Sequence, residues 1–256
     1  MSTYAPAPGA APLPRMIRAQ ALMETRLLLR NGEQLLIALV IPLLVLVGGL
    51  ESGELVDLGA GRQVDLLTPG VLALAVLSSA FTSLAIATGF ERRYGVLKRL
   101  GVSPLPRAGL LAGKTGAVLL VEALQIGLLS VTAAALGWQP SGGAMAVVAA
   151  TLLILLGTAA FGSLALAMAG TLRAEATLAA ANLVYLLLLA AGGVIVPLDR
   201  YPDALQPVIE LLPSGALAEG LREALTGEGL SWLAVLVLTC WAAAGAALTS
   251  RTFRWE

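Results

Sequence analysis

Long apolar runs, separated by short polar connections, dominate the chain. Six of them approach the roughly twenty residues that a helix needs to cross a bilayer. They cover about residues 35–50, 68–90, 110–136, 143–170, 178–196 and 230–249. The first, LLIALVIPLLVLVGGL, is short and holds Pro42, which predicts a kink. Before it, residues 16–33 show a weaker helical period and are placed on the membrane surface. The opening stretch, MSTYAPAPGAAPLPR, is rich in Ala and Pro. It reads as a disordered tail over 1–15, without the basic-then-apolar order of a signal peptide. Residues 16–256 then form one all-α membrane domain.

Composition supports this class. Of 256 residues, 58% are hydrophobic and only 12% charged, about half the share of an ordinary soluble domain. A net charge of zero argues against nucleic acid as a partner. The chain has no histidine, which removes histidine triads, histidine metal sites and histidine pH switches. A lone Cys240 excludes an internal disulfide. With both termini cytoplasmic, thirteen of the sixteen basic residues fall inside. Only Arg62, Arg200 and Arg222 fall outside.

Five of the basic residues crowd into FERRYGVLKRLGVSPLPR, residues 90–107, the connection between the second and third spans. Stepped at the helical period over 90–101, Phe90, Tyr94, Val96, Leu97, Leu100 and Gly101 fall on one side, with Arg93 among them. Glu91, Arg92, Lys98 and Arg99 fall on the other. The pattern predicts an amphipathic helix on the inner membrane surface, with Glu91 in its first turn. Ser103 is then expected to cap the next helix, with Pro104 and Pro106 in that helix's first turn, followed by Arg107. The expected result is an elbow: surface helix, corner, third span. A plain basic loop that only sets topology is the alternative reading.

The pattern F-E-R-x-x-G-x-L-K-R-L-x-x-S-P-L-P-R resembles the intracellular loop of ABC-2 type transporter permeases. The resemblance extends over nearly the whole chain after Arg15. It implies that the loop is a coupling helix seated in a cleft of a separate ATPase subunit. Phe90, Glu91, Arg92, Tyr94, Gly95, Leu97, Lys98, Arg99 and Leu100 would then face the ATPase. Arg93 departs from the family, where an acidic residue is common, so no specific salt bridge is carried over to it.

Just beyond lies AGLLAGKT, residues 108–115. It mimics a phosphate-binding loop, but Ala108 stands where glycine is required, and no strand precedes it. Lys114 reads instead as an interfacial anchor that snorkels to water. ATP and Mg would be bound by the partner ATPase, and no cofactor or metal by this chain.

The segment from 197 to 229 carries six acids, two bases and four prolines, as an external loop should. Within it, Leu217, Leu221 and Leu225 recur at helical spacing and predict a short helix that lies at the outer interface or dips in and returns. The resemblance favours re-entrant helices here. Inside the spans, Glu122 is the only acid, with Gln125 one turn later. The second span carries a polar stripe of Ser78, Ser79, Thr82, Ser83 and Thr88, and the fifth holds Asn182 and Tyr185. Glu122, Gln125, Ser79, Thr82, Ser83, Asn182 and Tyr185 are candidates to line a translocation path. Interhelical hydrogen bonding is the competing role. Gly157, Gly162, Ala165 and Ala169 are expected to serve close helix packing.

Together these readings predict the permease subunit of an ATP-driven exporter in the cytoplasmic membrane, moving an amphiphilic drug, antibiotic or lipid-like molecule. It would pair with a second permease copy or a paralogue, with ATPase subunits beneath, among membrane lipids. A secondary transporter would want more intramembrane charge and an internal repeat. An intramembrane enzyme lacks its acid pair and its histidine.

Overall fold

The computed structural model describes residues 9, 11–30, 32–51 and 62–252. All regular elements among them are helical: α1 (Leu13–Arg30), α2 (Gly32–Glu51), α3 (Gln63–Val76), a π-helical segment (Leu77–Ser83), α4 (Leu84–Arg93), α5 (Val96–Leu100), α6 (Arg107–Ala135), α7 (Gly143–Thr171), α8 (Ala174–Ala191), α9 (Gln206–Glu210), α10 (Pro213–Thr226) and α11 (Trp232–Thr252).

Five helices are long and apolar enough to cross a membrane. They are Gln63–Arg93, which runs unbroken through α3, the π segment and α4, then Ala108–Ala135, Gly143–Thr171, Ala174–Ala191 and Trp232–Thr252. The first expected span falls in α2, whose apolar part Ala38–Glu51 is shorter. The opening of that expected span, at 35–37, has side chains outside the described residues. So does most of the expected N-terminal tail, although α1 already begins at Leu13.

The Gln63–Arg93 rod stands at the centre. Every residue from Leu67 to Phe81 is buried, as suits a segment that is apolar all round. α2, α6, α7 and α10 pack around its α3 part, and α8 packs on α4 and the π segment. The most extensive helix pairing is α7 with α11. Ala165 and Ala169 are fully buried, and Gly157 sits under Leu217 of α10, so the small residues of α7 do serve close packing.

Two expectations shift, and one open alternative is decided. α1 does not merely rest at a surface: it packs along α6, burying Gln20 and Glu24. The glycines of the false phosphate loop make this possible. A Cβ at Gly113 would lie 2.6 Å from the Gln20 Cγ, and one at Gly109 3.2 Å from Leu13. Gly109 and Gly113 therefore form a G-x-x-x-G seam. The fifth span ends at Ala191 rather than at 196, because Gly193 turns the chain at φ +70°. Finally, of the two placements left open for the helix at 217–225, at the interface or dipping in, α10 does not take the peripheral one. It is wedged among α3, α7 and α11, with Leu217, Leu221 and Leu225 all buried.

Candidate functional site

The basic connection folds as an elbow, but not as one helix. α4 ends at Arg93, and Gly95 adopts the left-handed conformation (φ 69°) that stops a helix and that other residues resist. α5 then restarts for five residues. The break rotates the side chains away from the faces expected of a continuous helix. Leu97 is buried, Leu100 and Phe90 are half-buried, and Tyr94, Val96, Lys98, Arg99, Gly101 and Val102 are exposed. Phe90 and Tyr94 stack with ring centroids 6.1 Å apart.

Ser103 does not cap the third span. Its Oγ donates to the Leu100 carbonyl at 2.6 Å and accepts from the Leu105 N–H at 3.4 Å, which holds the bend. The residue before a proline is driven to extended backbone, so Pro104 and Pro106 delay the helix until Arg107. Pro106 is its N-cap, at φ −68° and ψ 158°. The Arg107 side chain lies outside the described residues. Beneath the bend is a hollow of about 420 Å³ bordered by Leu97, Ser103, Pro104 and Leu110.

Glu91 faces inward from the last turn of α4, not outward from a first turn. Its Oε2 lies 2.5 Å from the Lys114 Nζ, which also donates to Glu24 Oε1 at 3.0 Å. Gln20 donates to the same Glu24 oxygen at 2.8 Å. Lys114 is only 3% exposed, so it does not snorkel. A cation on α6 thus clamps an acid from α1 and an acid from α4 at the root of the elbow.

Two of the elbow arginines also turn toward the body. Arg92 donates to the Leu172 carbonyl at the end of α7, and Arg93 pairs with Glu175 of α8. Arg93 therefore does form a salt bridge, although not one the family pattern supplied. Lys98 and Arg99 alone among the expected coupling cations point freely outward.

The polar groups within the spans separate into two sets. Glu122 is buried and accepts from Ser79 Oγ at 3.1 Å and Thr158 Oγ1 at 2.7 Å. This joins α6, the π segment and α7. Ser79 also donates back to the Ala75 carbonyl at 2.8 Å, at the start of the π-helical turn. Gln125 donates to the Ala38 carbonyl of α2 at 3.0 Å. Ser83 and Ser79 border a small cavity of about 40 Å³ beside Glu24 and Lys114. Thr82 keeps a buried hydroxyl without a partner. By contrast Asn182 and Tyr185 differ in surroundings: Asn182 is exposed, while Tyr185, three residues on, is buried. The candidate path residues therefore include interhelical connectors, with Thr158 as a member the sequence reading missed.

A second missed residue is Arg222, 4% exposed. It donates to the carbonyls of Val194 (2.7 Å), Gly193 (3.1 Å) and Leu66 (3.4 Å), and to Glu219 Oε2 (3.0 Å). Burial pushes its pKa down from the ordinary arginine value, with Glu219 opposing. It binds α10 to the start of α3 and to the turn after α8. A Cβ at Gly70 would collide with the Val194 carbonyl, so the close approach requires glycine.

Comparison with known proteins agrees with this architecture. The chain is 24% identical over 233 residues to the "Putative transport permease YvfS" of Bacillus subtilis (strain 168), which covers 87% of this chain and 91% of that protein. The family model described as "ABC-2 type transporter" matches residues 15–226, from α1 to the end of α10. This chain belongs to the ABC-2 type transporter family, as a multi-pass protein of the cell membrane and a transport permease rather than an enzyme.

Proposed function

We propose that this chain is the permease subunit of an ATP-driven exporter of amphiphilic molecules, paired with a second copy or a paralogue. Both termini lie on the cytoplasmic side, and a separate ATPase subunit, which binds ATP and Mg, grips the elbow. The observation that carries this reading is the two-sided build of the elbow. Its inner side is tied down by buried Leu97 and by the Glu91–Lys114–Glu24 clamp. Its outer side exposes Tyr94, Val96, Lys98, Arg99 and Val102, a mixed apolar and basic ridge. A push on that ridge would pass to α1, α4 and α6 together. The apolar spans and the scarcity of free charge within them support an amphiphilic cargo.

Copurification in mild detergent tests the reading. A roughly stoichiometric ATPase should accompany the intact chain and be lost when Tyr94, Val96 and Val102 are all changed to Glu. Leu97 is left intact, because charging a buried residue would unfold the elbow. Export that persists without any ATPase would sink the proposal. Orientation is read by labelling Lys98→Cys and Asp203→Cys on a Cys240→Ser background. Lys98→Cys should react only from the cytoplasm, and Asp203→Cys only from outside.

A further inference from the structure

Where the α7–α8 turn closes on the end of α4, a hollow of about 400 Å³ is lined by Gly89, Arg92, Arg93, Arg173, Ala174 and Glu175. Three guanidinium groups against one carboxylate give it a net charge of 3 − 1 = +2. Ala174 opens α8, and Arg173 before it provides no side-chain cap. Thr177 N–H bonds the Arg173 carbonyl at 2.8 Å, so the N–H groups of 174–176 are the ones left without intrahelical partners. The hollow thus combines an arginine cluster with an uncapped, positively polarised helix end.

The internal pairing is weak. Arg93 and Glu175 have side chains 50% and 62% exposed, and exposed pairs contribute little. Arg173 is exposed as well. The place in the fold matters equally: Arg93 ends one span and Ala174 begins another, which is headgroup level. From Ala174, Leu178 and Leu186 continue up α8, both exposed, with Asn182 between them and exposed Leu183 and Leu187 alongside, giving a largely apolar face beyond the charged hollow.

We propose that this hollow binds the phosphodiester headgroup of an anionic phospholipid, whose acyl chains lie along Leu178 and Leu186. Basic pockets between transmembrane helices suit such headgroups, and the planar guanidinium matches phosphate oxygens in pairs. The phosphate competes with Glu175 for Arg93 and occupies the uncapped N–H groups of α8. The bound lipid then ties the root of the elbow to the α7–α8 turn. The exposed leucines beyond the hollow, with only Asn182 set between them, select a lipid over a free phosphate ion.

The test uses the full chain purified in a neutral detergent, titrated with phosphatidylglycerol, phosphatidylcholine or inorganic phosphate. Retained lipid is counted by native mass spectrometry, and the melting temperature is followed. Phosphatidylglycerol should bind saturably and raise the melting temperature, and the other two should not. Arg93→Gln with Arg173→Gln should weaken phosphatidylglycerol binding about tenfold or more. Glu175→Gln, which frees Arg93, should strengthen it, and this variant decides the matter if the double variant fails to fold. Equal binding of phosphatidylcholine would overturn the proposal, as would an equal response to phosphate alone. So would unchanged binding in Glu175→Gln. An equal loss in Arg18→Gln with Arg251→Gln, exposed basic residues elsewhere in the chain, would show diffuse attraction and overturn it too.

Discussion

Among the described residues the two ends of the bundle each bury one cation, and they hold it by opposite means. Lys114, at the root of the elbow, is held by carboxylates from two other helices. Arg222, at the α10 end (the outer end in the orientation proposed above), is held mainly by backbone carbonyls, with Glu219 as its ion-pair partner. The first arrangement depends on charge balance. An ammonium is a compact point charge, and it draws α1, α4 and α6 together without demanding one geometry. The second depends on shape. A planar guanidinium reaches several fixed oxygens at once, those of Gly193 and Val194 in the turn after α8 and that of Leu66 in the first turn of α3. The first join tolerates small changes of geometry; the second does not.

The sharpest way to break this contrast is to remove the inner cation. Lys114→Met leaves Glu24 and Glu91 facing each other in a buried site, which should cost about 3–5 kcal/mol and lower the melting temperature in detergent accordingly. Neutralising all three, as Lys114→Met with Glu24→Gln and Glu91→Gln, should recover most of that loss. A triple variant no more stable than the single one would show that geometry, not charge balance, governs the inner end.

At the outer end the charge-preserving change is the informative one. Arg222→Lys keeps the cation but cannot span the Gly193, Val194 and Leu66 carbonyls. Each buried acceptor left unpaired costs about 1–3 kcal/mol, so a total near 2–4 kcal/mol is expected. Gly70→Ala should fail in the same direction, because the added methyl displaces the Val194 carbonyl. Melting temperatures read both. An Arg222→Lys variant as stable as the parent would remove the distinction between the two ends.

That distinction was only partly legible in the sequence. α6 and α7 matched their apolar runs closely, because long hydrophobic stretches with polar flanks leave little freedom in where a membrane helix ends. The buried leucines of α10 were likewise readable from their spacing. Lys114 was not. Its partners lie 90 residues away at Glu24 and 23 away at Glu91, and such pairs leave no local pattern. Arg222 was harder still, since its partners are backbone carbonyls, which carry no residue identity. It looked like one more charge in an external loop. Two local signals could have been used: Gly95 as a helix stop in the supposed single surface helix, and Gly109 and Gly113 as a packing seam inside the false phosphate loop. The first would have split the elbow into α4 and α5, and the second would have brought α1 against α6.

The smallest effect expected concerns the acids of the outer end, which lack an inner-type clamp. Burial raises the pKa of Glu223 above the ordinary value of 4.5, and Glu219, Glu228 and Glu210 nearby add to the rise. Hydrogen bonding to Ser231 opposes it. The unfolded chain therefore ionises this carboxyl first as the pH rises through about 4.5, and the folded chain only at higher pH. In that window the folded state binds the extra proton, so the contribution of Glu223 to stability declines with rising pH and levels off once the folded carboxyl has ionised. Glu223→Gln removes this decline. The variant should melt slightly above the parent at neutral pH, and the gap should close as the pH is lowered toward 4.5. Because Glu223 is only partly buried, solvent screening keeps the gap small.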